Sequence, residues 1–213
     1  IRMDFQPTGK QQRTSFRKEM VEGVCWLWHR PLLRMMTLVV ALQLLAVVGG
    51  DLGVIVLAQQ QHASAVEIGL IFSAGGIGGI LGALFAPFLR KRLPFVTLLL
   101  CTEWLLALFW FGYAFAPAIL LLALLEAVVA VVDQIMDVVW VSYRIALIPS
   151  ALQGRVNSIY RLVGQVSRPL GLFGAGVVLQ KVGGGEMFLF TGFILVVAAL
   201  GASVALGLNR STI

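Results

Sequence analysis

The stretch Pro117-Ala-Ile-Leu-Leu-Leu-Ala-Leu-Leu-Glu126-Ala-Val-Val-Ala-Val-Val-Asp133-Gln-Ile-Met-Asp137-Val-Val-Trp-Val-Ser-Tyr143 decides the fold. Its only charges are Glu126, Asp133 and Asp137, and it exceeds the ~20 apolar residues needed to cross a hydrocarbon layer. No water is present at that depth to satisfy open backbone groups, so a continuous apolar run of this length must be a helix. A membrane barrel would instead alternate in polarity over segments of about ten residues. Working outward, five further runs of similar character cover roughly 34–58, 66–89, 95–115, 155–180 and 186–208, joined by short connections. The expectation is an all-α, polytopic membrane protein with six transmembrane helices over 31–213, preceded by a cytoplasmic linker over 1–30. Within that linker Phe16, Met20, Val24 and Trp28 share one apolar face, which predicts a short amphipathic helix at the interface or on protein.

Composition agrees. The 213 residues are 59% hydrophobic and 12% charged, where a soluble domain carries roughly 25% charged residues. The net charge of +6 is not a nucleic-acid footprint, because the basic residues sit in short clusters between apolar runs. Fourteen of the sixteen Lys and Arg fall on the side of the N-terminus, among them Arg30, Arg34, Arg90, Lys91, Arg92, Arg144, Arg155 and Arg161; Lys181 alone falls opposite, and Arg168 lies inside the fifth run. The positive-inside rule then puts both termini in the cytoplasm, in a plasma (inner) membrane. Cys25 and Cys101 read as free thiols, without disulfide or metal spacing. The chain begins at Ile1 with a polar, basic stretch and reads as a piece that starts inside a longer protein.

Polar residues inside the runs are the candidate functional groups. Ionisable side chains at membrane depth are costly and mark pathways or relays. Asp51 lies in the first run, Glu103 in the third, and Glu126, Asp133 and Asp137 in the fourth. Offsets of four and seven residues put the last three on one helical face. That face suits a water-filled path, a cationic substrate or a proton relay; the alternative is a set of interhelical hydrogen bonds. Asp133 and Asp137 are the foremost candidates for substrate or proton coupling, with Asp51 and Glu103 beside them. Arg168 is expected to pair with Asp133 or Asp137, and the adjacent Pro169, with Gly171 nearby, is expected to open the fifth helix. The second run carries small-residue stripes, Gly75–Gly79–Ala83 and Gly78–Gly82–Ala86, which serve either a static packing seam or a sliding one. His29 and His62 have no partner at a catalytic or metal spacing. The sequence has no nucleophile elbow, zinc-binding helix motif or phosphate loop, so it reads as neither an enzyme nor a cofactor protein.

Tyr143-Arg144-Ile-Ala-Leu-Ile-Pro149, then Leu152-Gln-Gly154-Arg155-Val156-Asn157-Ser158, Arg161 and Pro169-Leu170-Gly171, resembles the C-terminal half of major facilitator transporters. The branch it looks nearest to holds the enterobactin-exporter-like and macrolide-efflux-like proteins. Glu22-Gly23, Pro31-Leu-Leu-Arg34 and the glycine-rich second run ending in Arg90-Lys91-Arg92 fit the same half. Two features depart from the family pattern. The Arg90-Lys91-Arg92 loop lacks the glycine–aspartate–arginine signature, and Arg168 stands where the antiporter motif has a small residue. The resemblance implies twelve spans in two six-helix halves, of which this chain supplies the second. The N-terminal half would lie in the same chain or in a dimer partner. It also implies proton-coupled efflux of small amphiphilic molecules, drug-like or siderophore-like, through a lipid bilayer. A non-transporting scaffold or receptor-like module is the alternative.

Overall fold

The computed structural model describes residues 31–148 and 150–209, together with Cys25 and His29. The helix expected over 16–28 therefore lies outside the described residues, Cys25 aside. Every described element is an α-helix: α1 (Pro31–Val47), α2 (Gly50–Gln60), α3 (Ala65–Arg92), α4 (Phe95–Ala114), α5 (Ile119–Leu147), α6 (Ser150–Val182) and α7 (Gly184–Asn209). Among the described residues six helices are long and apolar enough to cross a membrane, the first formed by α1 and α2 together over Thr37–Gln60. The protein is thus a multi-pass membrane protein, helical in each of its described elements.

Local chemistry sets the helix ends. Ser64 opens α3 with a capping box: its backbone N–H donates to Glu67 Oε2 at 2.7 Å, and Glu67 N–H donates to Ser64 Oγ at 3.3 Å. Pro94 precedes the first turn of α4, where its missing N–H is not needed. Gly183 separates α6 from α7 at φ +99°, a conformation that a side chain would strain.

The expected break in the fifth span is not there. α6 runs unbroken through Pro169. A proline costs one ladder bond, to the carbonyl four residues back, and a helix can continue on either side of that loss. The interruption is in the first span, at Val48 and Gly49, and it is shallow. Val48 N–H still donates to Leu44 O (3.3 Å) and Gly53 N–H to Gly49 O (3.1 Å).

Packing follows an ordered pattern. α3 lies along α5, and α1 lies along α6; α4 packs on α7, α4 also on α5, and α1 also on α7. Numbering the spans one to six, the neighbours are two–four, one–five, three–six, three–four and one–six. Exchanging one with four, two with five and three with six returns the same list. The fold is therefore two three-helix sets that use their helices equivalently.

Two glycine seams hold these sets together. A Cβ at Gly78 or Gly82 would run into the backbone carbonyls of Ala127 or Val131 on α5, and one at Gly75 would meet the Glu126 side chain. On the other flank, Gly171 of α6 leaves no room for a Cβ against Val48 and the Leu45 carbonyl, and Gly49 lies against Ala175. In lipid, where apolar burial between helices gives no net driving force, such close backbone approach supplies the attraction. The buried stripe on α3 is Gly75, Gly78, Gly82 and Ala86, which combines members of both expected stripes. Gly79 faces open space and Ala83 is exposed. Leu70, Ile77, Leu84 and Phe88 point outward on the same helix, as lipid contact requires.

Candidate functional site

A cavity of about 150 Å³ opens where the first and fourth spans meet, backed by the third and sixth. Asp51, in the first turn of α2, lines one side, and Glu126 and Asp133, seven residues apart on α5, line the other. Trp110 and Tyr113 of α4 and Phe188 of α7 make its aromatic wall. The Tyr113 hydroxyl donates to Glu126 Oε2 at 2.6 Å. The Tyr113 ring stacks on Phe188 (centroids 4.7 Å, 20°), and Trp110 meets Tyr113 edge-on (6.0 Å, 64°) and Phe188 at 5.4 Å. These offset and edge arrangements suit ring quadrupoles. Gly50 makes the wall possible, since a Cβ there would lie 2.5 Å from Cη2 of Trp110.

Glu103 lies seven residues before Trp110 on α4, behind the cavity rather than in its lining. It is fully buried. Gln43 of α1 donates from Nε2 to Glu103 Oε2 at 2.9 Å, and the same nitrogen approaches Met136 Sδ at 3.7 Å. Oε1 of Glu103 has no hydrogen-bond partner. Asp133 bears electrostatically on Glu103 from one side and on Asp137 from the other.

The sequence-predicted residues divide into those that converge and those that do not. Asp51 and Asp133 meet at the cavity, and Glu103 lies close behind them. Asp137, one turn beyond Asp133, is exposed and outside the cavity wall. Arg168 is exposed on α6, which packs on the first and sixth spans and forms no seam with α5. Among the described residues it makes no ion pair, so the expected bridge to Asp133 or Asp137 does not form. Adjacency in sequence was the wrong guide, because the fifth span crosses to the opposite flank of the bundle. Pro169 is exposed on the same helix, and Gly171 closes the α1 seam.

Sequence reasoning passed over Gln43, Trp110, Tyr113 and Phe188, and it kept Glu126 out of the foremost candidates. A signal existed for the third span. Glu103, Trp110 and Tyr113, at offsets of seven and three, share one helical face.

No family model matches the chain, and no curated protein or solved structure matches it significantly.

Proposed function

We propose that this chain is one six-helix half of a secondary active transporter of the major facilitator type, exporting small amphiphilic molecules across the plasma (inner) membrane in exchange for protons. The observation that carries this reading is the cavity itself. Asp51 comes from the first helix of one three-helix set, and Glu126 and Asp133 come from the first helix of the other. Consecutive spans cross in opposite directions, so sets one–two–three and four–five–six would run inverted to each other. Inverted repeats with substrate and ion sites at their junction are a recurring transporter plan.

The exposed charges support a second half. Charges at membrane depth cost at least ~2.5–3.5 kcal/mol each. Asp133, Asp137 and Arg168 are nonetheless uncovered by this bundle. The fifth span has the lowest mean hydropathy of the six and is also the least covered, with 11% of an 18-residue apolar stretch buried against 44% for the sixth. Lipid is a poor neighbour for such a face. A second six-helix unit, in the same polypeptide or as a dimer partner, would cover it and enclose a water-filled path. The basic clusters orient both termini to the cytoplasm. Export rather than import rests on the family resemblance.

Everted vesicles carrying the intact polypeptide test the reading. With an imposed pH gradient, a transported amphiphile should accumulate and dissipate that gradient. Asp133→Asn should lower the coupled flux about a hundredfold or more, in the range typical of positioned proton-transfer groups. Asp137→Asn should also uncouple it, and unchanged transport in that variant would remove Asp137 from the mechanism. Correctly inserted protein that moves nothing across a broad amphiphile panel would favour the scaffold or receptor-like alternative.

A further inference from the structure

We infer that α6 docks a second copy of this chain, with Arg161 and Arg168 of each copy paired to Asp137 and Asp133 of the other across a two-fold axis along the membrane normal. The inference rests on the reading that a second six-helix unit covers α6, and it names that unit; it does not depend on what the protein carries.

Two exposed stripes run along α6. Leu162, Val166, Leu170 and Phe173 follow one another at steps of four, four and three and give the helix a face for lipid. Arg161, Gln165 and Arg168, at steps of four and three, form a polar stripe on a different side, also exposed. The buried side of the same helix, with Val156, Ser167, Gly171 and Ala175, faces the bundle. Lipid therefore already has its face, and the polar stripe needs another neighbour. A guanidinium keeps its charge at any relevant pH, and charge at membrane depth is costly unless it is met.

The complement lies on α5, where Asp133 and Asp137 are exposed. Depth can be counted from the span ends nearest the α5–α6 connection, Tyr143 and Val156. Asp137 is six residues in and Arg161 five; Asp133 is ten in and Arg168 twelve. At a helical rise of ~1.5 Å per residue these are depths of about 9 and 7.5 Å, then about 15 and 18 Å. Long, flexible arginine side chains absorb mismatches of that size.

Within one bundle α5 and α6 form no seam. α6 lies along α1, and α5 faces α2 across the cavity, so the charged stripes stand on opposite sides of the first span. The third and sixth spans close the back. A two-fold axis in front of the first span exchanges its two sides, so α6 of each copy meets α5 of the other. Such a contact is isologous and every pair in it occurs twice. Both copies insert with the same orientation, which preserves the depths. Opposite charges facing across each seam then fix the register. Asp133 lines the cavity, so a guanidinium of one copy closes the cavity of the other. A unit of different sequence would need matching carboxylates of its own; a second copy brings them at the right depths.

Two differently tagged versions of the intact polypeptide, co-expressed and extracted in mild detergent, test the contact. Wild-type copies should co-purify. Arg161→Glu/Arg168→Glu on every copy, or Asp133→Arg/Asp137→Arg on every copy, sets like charges across both seams and should lower co-purification about tenfold or more. Pairing one variant with the other restores opposite charges in both seams and should recover it, a rescue that misfolding cannot produce. A milder readout uses a background in which Cys25 and Cys101 are replaced. There Arg168→Cys on one copy should cross-link to Asp133→Cys on the other in native membranes, while two Arg168→Cys copies should not cross-link. Wild-type copies that fail to co-purify would overturn the inference, as would full co-purification of both charge-reversed variants, or absence of both the rescue and the cross-link. Cross-linking of Arg168→Cys to another segment of its own polypeptide, with none between copies, would overturn it and leave the half-transporter reading standing. A dimer held by this contact that transports nothing would do the reverse.

Discussion

The hydroxyl of Tyr113 donates to Glu126 across 2.6 Å and so ties the third span to the fourth at the wall of the cavity. Tyr113 itself is 2% exposed, and its ring is held by stacking on Phe188. Removing the hydroxyl leaves a half-buried carboxylate without its donor, which costs about 1–3 kcal/mol. Tyr113→Phe should therefore lower the thermal midpoint in detergent, and the Tyr113→Phe/Glu126→Gln double variant should recover part of the loss. Full additivity of the two changes would mean that the bond contributes nothing.

The glycine seams make a prediction with internal controls. Gly78→Val and Gly82→Val drive a side chain into the Ala127 and Val131 carbonyls, and Gly171→Val does the same at Leu45 on the other flank. Overpacking of this kind costs about 1–3 kcal/mol or more, because neither backbone can move aside. Gly76→Val, Gly79→Val and Gly174→Val project into open space and should be tolerated. Yield of monodisperse protein after detergent extraction reads both sets. Equal loss at Gly79 and Gly82 would contradict the helix rotation seen here.

Much of this architecture is written in the sequence, because lipid imposes a simple rule on the backbone. A run such as 117–143 has no alternative to helix, and the six spans fall within a few residues of the apolar runs. Faces within one helix were also legible: the seven-residue step from Glu126 to Asp133 puts both on the cavity. What the sequence does not carry is which helices touch. Arg168 follows the fourth span closely in the chain, yet α6 packs on the first span, and nothing in local periodicity encodes that crossing. The same gap hid Gln43, whose only mark is a polar residue in an apolar run and whose meaning depends on Glu103 arriving from another helix.

Orientation is open to direct measurement. The basic residues near Arg90, Lys91 and Arg92 predict a cytoplasmic turn at Leu93, and the turns at His62 and Ala118 should then lie outside. Cys25 and Cys101 are free thiols and must first be replaced. In that background, His62→Cys and Ala118→Cys should react with an impermeant thiol reagent in intact cells, and Leu93→Cys only after permeabilisation. The opposite pattern would invert the topology.

Arg168 separates the stability of this bundle from its function. Its side chain is exposed and makes no ion pair among the described residues. Arg168→Gln should therefore change the thermal midpoint of the six-helix unit little, within the roughly ±0.5 kcal/mol typical of surface sites. If a second six-helix unit covers α6, the same variant should weaken the association of the two halves or the transport they perform. A large drop in the stability of the isolated unit would reveal a partner for Arg168 inside this bundle.

Glu103 and Gln43 pose the sharpest test, because among the described residues Gln43 is the one hydrogen-bond donor to the Glu103 carboxyl group. Glu103 is fully buried, accepts from Gln43 Nε2 at 2.9 Å through Oε2, and leaves Oε1 without a donor. Gln43→Leu strips the carboxyl group of its one donor among the described residues, and buried polar groups deprived of a partner cost about 1–3 kcal/mol or more. Glu103→Gln keeps the volume and supplies a carbonyl acceptor for Gln43, so the fold should survive it with a smaller loss. Gln43→Leu combined with Glu103→Leu removes both polar groups and should be more stable than Gln43→Leu alone, since matched apolar replacement of a buried pair is often close to neutral. A coupling energy near zero across that double-mutant cycle would mean that the two side chains do not meet in the membrane. Transport read in the same series divides two roles. Loss of proton-driven flux in Glu103→Gln with stability intact would mark Glu103 as part of the proton path, whereas flux that tracks stability alone would leave it a structural bridge between the first and third spans.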